Sequence, residues 1–369
     1  MSTVLLAVIA VILCVLFRIL NVNSQPHKPV IYGRDRNFIE NILFIAPFLN
    51  EPYIPTRLWG FSGHVQTILH SLIGRVRCPW PIGGRISLTL PDKSTLTYDL
   101  YEPLGAEHED DVTVAICPGI GNTSESVYIR TYVHYSQRHG YRCAVLNHIG
   151  ALNSVPVTGN RIFSYGHTDD FSYMIENLLE RFPNTKLILV GFSLGGNLIT
   201  KYLGEDRKRP SNIIGGISIC QGYNAINKVH GFGSVTELYK WSSSAFYLKN
   251  IKTPMIFINA RDDPIVPEPL LPIVREFVSS QDKAMYLELS HGGHLGFYEG
   301  GLVYANPVTW LDRALAAIVG GLLMAHHKCH PKHANEPPDM TMSDDEPDLI
   351  KSATIIYKDP LDKNTTKCN

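Results

Sequence analysis

From Arg85 onward, apolar and polar residues follow two alternating rhythms. RISLTL and TLTYDLY place apolar side chains at alternate positions on either side of a Pro91-Asp92 turn, as two paired strands would. VTVAIC (112–117), RCAVLN (142–147), KLILV (186–190), IIGGISIC (213–220), MIFINA (255–260) and AMYLEL (284–289) are short, nearly unbroken apolar runs of the kind that buried strands require. Between them, helical periodicity runs over 125–139, 169–182, 197–203, about 269–280 and from 307 to about 323. Strands alternating with helices predict a mostly parallel sheet with helices on both faces, because a parallel crossover needs a helix-length connection. The pair near Pro91 fits an antiparallel edge. No internal repeat is present.

The ends of the chain follow other patterns. Residues 4–17, VLLAVIAVILCVLF, are uninterrupted apolar and are followed by Arg18. Extended to Leu20, the run just reaches the roughly 17 to 25 residues that a spanning helix needs. No cationic stretch precedes it and no A-x-A site follows, so residues 1–22 read as an uncleaved membrane anchor rather than a signal peptide. Arg18, Lys28, Arg34 and Arg36 all follow the run, and by the positive-inside rule they favour a cytosolic body. Residues 23–84 are rich in aromatics, Pro and Gly with little periodicity, and read as an N-terminal extension to a domain over 85–325. Residues 326–369 are Pro-rich and charged, too poor in apolar groups to join a core, and read as a disordered tail.

Composition narrows the function classes. Across 369 residues the formal charge is -1, which gives no basic field for nucleic acid and no acidic tail for a cationic partner. The seven cysteines show no C-x-x-C spacing. Cys117, Cys143 and Cys220 fall in strand-like runs and are expected to be core thiols rather than a disulfide framework.

The chemistry begins where KLILV runs into Gly191-Phe192-Ser193-Leu194-Gly195 and a helix follows. G-x-S-x-G is weak alone, but strand, turn and helix in that order are what a nucleophile elbow requires. Side chains at 191 and 195 would clash where strand and helix approach, and Ser193 is expected in a strained backbone with its hydroxyl exposed. A phosphate-binding turn would want G-x-G-x-x-G or a Lys after the glycines, and neither is present. A serine nucleophile needs a base, and the base an orienting carboxylate. In the order Ser, acid, His, the loop after MIFINA offers Asp262 and Asp263, with Asp263 favoured because D-P-I-V-P leads from the acid into the next helix. The loop after AMYLEL offers His291 and His294. His294 is preferred because it lies deeper in a Gly-rich loop, and His291 is expected to shape that loop. The oxyanion amides are assigned to Leu194 and, in the PGIGN loop, to Ile120 with Gly119 as the alternative.

Other histidines carry less. His64 and Gln66 in GHVQT read as structural hydrogen-bonding groups. His326, His327, Cys329, His330 and His333 cluster at the start of the tail, where no metal site is expected. None of the fifteen histidines has Asp five positions later, which counts against an H-x4-D acyl-transfer signature. Asn122 and Asn364 stand in glycosylation sequons.

Together GFSLGGN, ARDDP, HGGHLGF, YIPTRLWGFSGHVQTIL, GRVRCPWPIGG and YRCAVLNHIGAL resemble the α/β-hydrolase-domain-containing protein 2 group of membrane-anchored acylglycerol lipases, over about residues 53–310. The resemblance implies the α/β-hydrolase fold and hydrolysis of monoacylglycerols, with acetyl esters and triacylglycerols as further substrates. It implies the triad Ser193, Asp263 and His294, no metal or organic cofactor, and a membrane and a steroid ligand as partners. It also implies a single-pass type II topology, opposite to the orientation that the flanking cations favour. One departure stands out: the group's long helical insertion is clipped here to a shortened lid over 221–254, which puts long acyl chains in doubt because each buried methylene is worth ~0.8 kcal/mol. A serine hydrolase on lipid esters is therefore the leading expectation. A non-catalytic lipid- or steroid-binding scaffold is the alternative, and a peptidase or thioesterase would use the same triad.

Overall fold

The computed structural model describes residues 3–72, 79–104, 110–222 and 241–329. In chain order its regular elements are α1 (Thr3–Leu20), β1 (Val30–Tyr32), α2 (Arg36–Ile45), α3 (Gly63–Leu72), β2 (Gly84–Thr89), β3 (Thr95–Tyr101), β4 (Val112–Cys117), α4 (Val127–Arg138) and β5 (Arg142–Asn147). They continue through α5 (Asp169–Arg181), β6 (Lys186–Phe192), α6 (Leu194–Gly204), β7 (Ile213–Ile219), β8 (Met255–Ala260), α7 (Pro272–Ser280), β9 (Ala284–Leu289) and α8 (Trp310–Cys329).

The nine strands form one sheet in the order β1-β9-β8-β7-β6-β4-β5-β3-β2. The strands β4 to β9 are parallel where they pair with one another. The β2-β3 hairpin closes one edge antiparallel, as its alternation predicts. Side chains of successive strand residues point to opposite faces, so each strand feeds two cores. Val114, Ile116, Ile188 and Val190 pack with α2, α4 and α8, whereas Ala115, Cys117, Leu187 and Leu189 pack with α5, α6 and α7. This is the α/β-hydrolase architecture expected from the sequence. The chain leaves β4 for α4 on one face and β6 for α6 on the other. The loops at the carboxyl ends of these adjacent strands therefore diverge and open a crevice, where such sheets place their sites.

Several boundaries differ from expectation. Within the N-terminal extension, β1 adds to the sheet by pairing antiparallel with β9, and α2 lies on α8. Backbone pairing holds β1, while α2 buries Phe38, Ile42 and Ile45 in the core beneath α8. The last helix runs on to Cys329, so His326, His327 and Cys329 form its final turns rather than opening a tail. His327 Nε2 is hydrogen-bonded to the Asp110 carboxylate. The rest of the expected tail, including His330, His333 and Asn364, lies outside the described residues, as does 223–240 of the expected lid. Cys117, Cys143 and Cys220 are buried free thiols, and burial pushes Cys143 up to about 12. No residue of α1 is buried, and the helix is long and apolar enough to cross a membrane by length and composition, with mean hydropathy 2.9.

One aromatic cluster joins the N-terminal segment to the rest. Trp310, at the start of α8, stacks on Phe297 and meets Tyr53 and Phe48 edge-on, with ring centroids 5.8, 5.9 and 6.3 Å away. Such pairs add to the area term of burial. Trp310→Ala is expected to cost about 3–5 kcal/mol, read as a lower urea midpoint at unchanged slope.

Candidate active site

The bend after β6 is built by close approach. A Cβ on Gly195 would sit 1.9 Å from the Cys117 carbonyl oxygen, and one on Gly191 would sit 2.3 Å from the Gly195 carbonyl oxygen. With both positions bare, α6 starts immediately against β4 and β6. Ser193 is left at φ 52° and ψ -113°, a region that costs a residue with a side chain roughly 1–3 kcal/mol. Its amide donates to the Ile219 carbonyl on β7 at 2.8 Å, which holds the strained turn in place. Ser193 is half-buried in an otherwise buried stretch from β6 into α6, so the strain brings its hydroxyl out of the core.

Three distant segments meet at this hydroxyl. Ser193 Oγ lies 2.9 Å from His294 Nε2, and His294 Nδ1 lies 2.8 Å from Asp263 Oδ2. The neutral tautomer that satisfies both donates from Nδ1 to the carboxylate and accepts the serine proton at Nε2. Asp263 is buried, and its other oxygen accepts the amides of Ile265 and Val266 at 2.8 and 3.0 Å. The carboxylate is therefore held from both sides and cannot rotate away from the ring. Of the paired candidates, the structure brings Asp263 and His294 to Ser193. Asp262 and His291 instead pair with each other, Nδ1 to Oδ2 at 3.3 Å, while His291 Nε2 meets Ser24 Oγ at 2.8 Å. The Oδ1 atom of Asp262 accepts the Gly293 amide at 2.9 Å, so this pair shapes the loop that carries His294.

The main support of that loop is α3, which periodicity does not reveal. Thr67 Oγ1 accepts the backbone amide of His294 at 2.8 Å and donates to the Gly63 carbonyl at 2.7 Å. Gln66 is fully buried: its amide donates to the Gly60 carbonyl at 2.6 Å and its oxygen accepts the Tyr298 amide at 3.0 Å. The loop passes so close to α3 that a Cβ on Gly293, at φ 57°, would meet the Gly63 carbonyl oxygen at 2.4 Å. The structural role expected at GHVQT falls to Gln66 and Thr67; His64 is exposed and takes no part.

The opposite wall is the loop after β4. The Gly119 amide donates to the Tyr128 hydroxyl at 3.0 Å, and His148 Nε2 donates to the Pro118 carbonyl at 3.1 Å. The Gly119 amide is thereby engaged by α4, while Ile120 projects to the surface and Leu194 opens α6. Below the loop, Asp99 accepts Ser124 Oγ at 2.7 Å and Asn147 Nδ2 at 3.1 Å and takes a two-pronged contact from Arg85. Asn122, the sequon residue, donates from its side-chain amide to the Ile120 carbonyl and borders the cavity.

A cavity of about 460 Å³ opens over Ser193 and His294, with Leu72, Ile120 and Ile265 at its walls. That is within the range of small-molecule sites. A second cavity of about 350 Å³ lies at the amino ends of the strands, near Lys252 and Lys283, and holds none of the relay. Cys220, Asp263 and His294 offer ligand atoms within 4.8 Å of one another. Burial, with Asp263 beside it, holds the Cys220 thiol well above its usual range, and both His294 nitrogens are already engaged, so the group fits a proton relay better than a metal site.

Comparisons with known proteins agree with this architecture. A family profile described as the alpha/beta hydrolase fold matches residues 112–242. The chain is 53% identical to abhydrolase domain-containing protein 2 of Drosophila melanogaster, over 88% of this chain and 98% of that protein. It is 37% identical to monoacylglycerol lipase ABHD2 of Homo sapiens, over 84% of this chain and 89% of that protein. Among solved structures it is similar to the acylaminoacyl peptidase of Pyrococcus horikoshii. There the TM-score is 0.50 at 18% identity, covering 77% of this chain and 45% of that one, a likeness of fold alone.

Two outcomes follow from the geometry. Gly195→Ala should destabilise the fold by about 3 kcal/mol or prevent its assembly, because the new methyl meets backbone rather than a side chain that could move; chemical denaturation measures the difference. Burial lowers the pKa of His148 below its ordinary 6.5. In the interval between folded and unfolded values only the unfolded chain binds the proton, so stability should fall as pH drops through 6.5. Denaturation midpoints from pH 7.5 down to 5 should slope downward in the wild type and less steeply in His148→Gln.

Proposed function

The chain belongs to the abhydrolase domain-containing protein 2 family of carboxylic ester hydrolases, and we propose that it cleaves monoacylglycerols through Ser193, His294 and Asp263, with α1 as its single membrane span. The observation that carries this reading is the continuous relay from the Ser193 hydroxyl through His294 to the Asp263 carboxylate, at 2.9 and 2.8 Å. The name of the human relative, a monoacylglycerol lipase, supplies the substrate class. The apolar walls of the cavity, at Leu72, Ile120 and Ile265, suit an acyl chain.

In this mechanism Ser193 Oγ attacks the acyl carbonyl as His294 Nε2 takes its proton. Asp263 stabilises the imidazolium and keeps Nδ1 as the donor, and the carboxylate itself stays ionised. The oxyanion forms at the amino end of α6, where the amides of Leu194 and Ile120 donate to it. Preorganised donors of this kind are worth about 3–4 kcal/mol each in the transition state. Collapse of the tetrahedral adduct expels glycerol, which takes the proton from His294. Water, deprotonated by the same ring, then attacks the acyl-enzyme and releases the fatty acid, restoring Ser193. The strained backbone of Ser193 contributes by holding its hydroxyl in the attack position before the substrate arrives.

A fluorophosphonate probe and a monoacylglycerol assay on detergent-solubilised protein test the reading together. The wild type should label and turn over, and Ser193→Ala should lose labelling, with kcat down by about 10⁴-fold or more. Asp263→Asn should lower kcat by about 10⁴-fold because the ring then favours the wrong tautomer, whereas Asp262→Asn, outside the relay, should leave most of the rate. Wild-type protein that never labels would reject the mechanism, and a protein that labels but ignores glycerides in favour of amides or thioesters would reject the substrate.

A further inference from the structure

The segment that follows α1 is stitched to the body at three points. Asn21 donates from its side chain to the Phe61 carbonyl at 3.0 Å, Ser24 meets His291 at 2.8 Å, and the Tyr53 amide donates to the His27 carbonyl at 3.1 Å. A helix on a flexible linker would leave the body free to tumble beside the membrane. These ties instead fix the end of α1 to one face of the domain, the face that carries the His294 loop.

That face is apolar where it should be polar. Backbone bonds from Arg57 to Gly301 and from Leu58 to Leu302, with the Trp59 indole on the Val303 carbonyl, join residues 54–59 to the 298–305 loop. The ribbon so formed presents Leu302 at 67% exposure and Tyr304 at 87%. From Phe61 the chain enters α3, whose ten residues span about 15 Å and end at Leu72, an exposed residue on the wall of the cavity. The rim of the cavity, at Leu72, Ile120 and Ile265, is exposed and apolar too. Charge runs the same way: no Asp or Glu occurs from Met1 to Arg34 or from Tyr53 to Pro91, while Lys28 and Arg57 are exposed. The one carboxylate of the 298–305 loop, Glu299, is paired with Arg313.

We propose that this face, residues 53–72 with the 298–305 loop, rests on the bilayer that α1 enters, so that the cavity over Ser193 opens onto lipid. Apolar side chains with interspersed cations and no uncompensated carboxylate are what an anionic bilayer surface accepts. Continuity decides the partner: the apolar ribbon begins at the same loop that holds the end of α1, so any membrane holding the helix lies against it. A lipid ester would then reach Ser193 by lateral diffusion without crossing water, a consequence that rests on the ester-hydrolase reading above.

The test uses the full chain reconstituted in phosphatidylcholine–phosphatidylserine vesicles with brominated acyl chains. The added fluorescence of Tyr304→Trp should be quenched by more than about half, and that of Lys252→Trp, at the amino ends of the strands, should not. The double variant Leu302→Glu, Tyr304→Glu should keep its rate on a soluble short-chain ester within about twofold, yet lose about tenfold on monoacylglycerol carried in vesicles. Equal quenching at 304 and 252, or an unchanged vesicle rate in the double variant, would overturn the proposal. Quenching needs no turnover, so a protein inactive on every ester would sink the functional reading while the docking face is still decided.

Discussion

The contact between the Gly195 backbone and the Cys117 carbonyl is the constraint on which the site depends. It lets α6 begin against β4 with no side chain between them, and the strained φ of Ser193 follows from that approach. Strain of this size persists only when the surroundings over-determine it. Here they do: Ser193 is bonded through its amide to β7, flanked by buried Phe192 and Leu194, and followed by a helix whose every residue is buried. The sheet thus supplies both the rigidity that holds the bend and the divergence of loops that leaves room above it.

The imidazole is positioned by different means. Its loop contains no regular structure and takes its shape from polar contacts with segments distant along the chain: Thr67 on the His294 amide, Gln66 on the Tyr298 amide, and Asp262 on the Gly293 amide. The aromatic stack of Trp310 and Phe297 fixes the far side. A buried amide left without its partner costs about 1–3 kcal/mol, so the loop is held by bonds that are expensive to break rather than by close packing alone. Gln66 and Thr67 of α3 accordingly belong to the site as much as the strands do.

This division explains what could be read from the sequence. Strands 112–117, 142–147, 255–260 and 284–289 were legible to the residue, because burial on both faces demands an unbroken apolar run. The elbow was legible because its steric requirement is written as glycine on both sides of the serine. The α3 scaffold was legible only at Gln66, whose structural role GHVQT suggests; the helix itself and the Thr67 hydroxyl leave no periodic trace among the aromatics and prolines around them. The three residues of β1 joined the sheet through backbone pairing that any side chains could accompany. The end of α8 escapes composition, since His326 to Cys329 are polar yet continue a helix whose preceding residues, to Ala325, are largely buried.

The two Asp–His pairs show why spacing alone could narrow the candidates without separating them. Asp262 and Asp263 are adjacent on one turn and direct their carboxylates to different neighbours, and His291 and His294 flank the two glycines of the facing loop. What distinguishes the pairs is environment. The Asp263 side chain is wholly buried and braced by two amides, whereas that of Asp262 is partly exposed and shared between a ring and a backbone amide. A carboxylate meant to stabilise a transient positive charge is most effective when it is fixed in advance and shielded from water, because its orientation then costs nothing during reaction. Asp262, partly exposed and paired with a His291 that is tied to Ser24 in the segment after α1, lacks that shielding and suits the mechanical task of holding a loop in register.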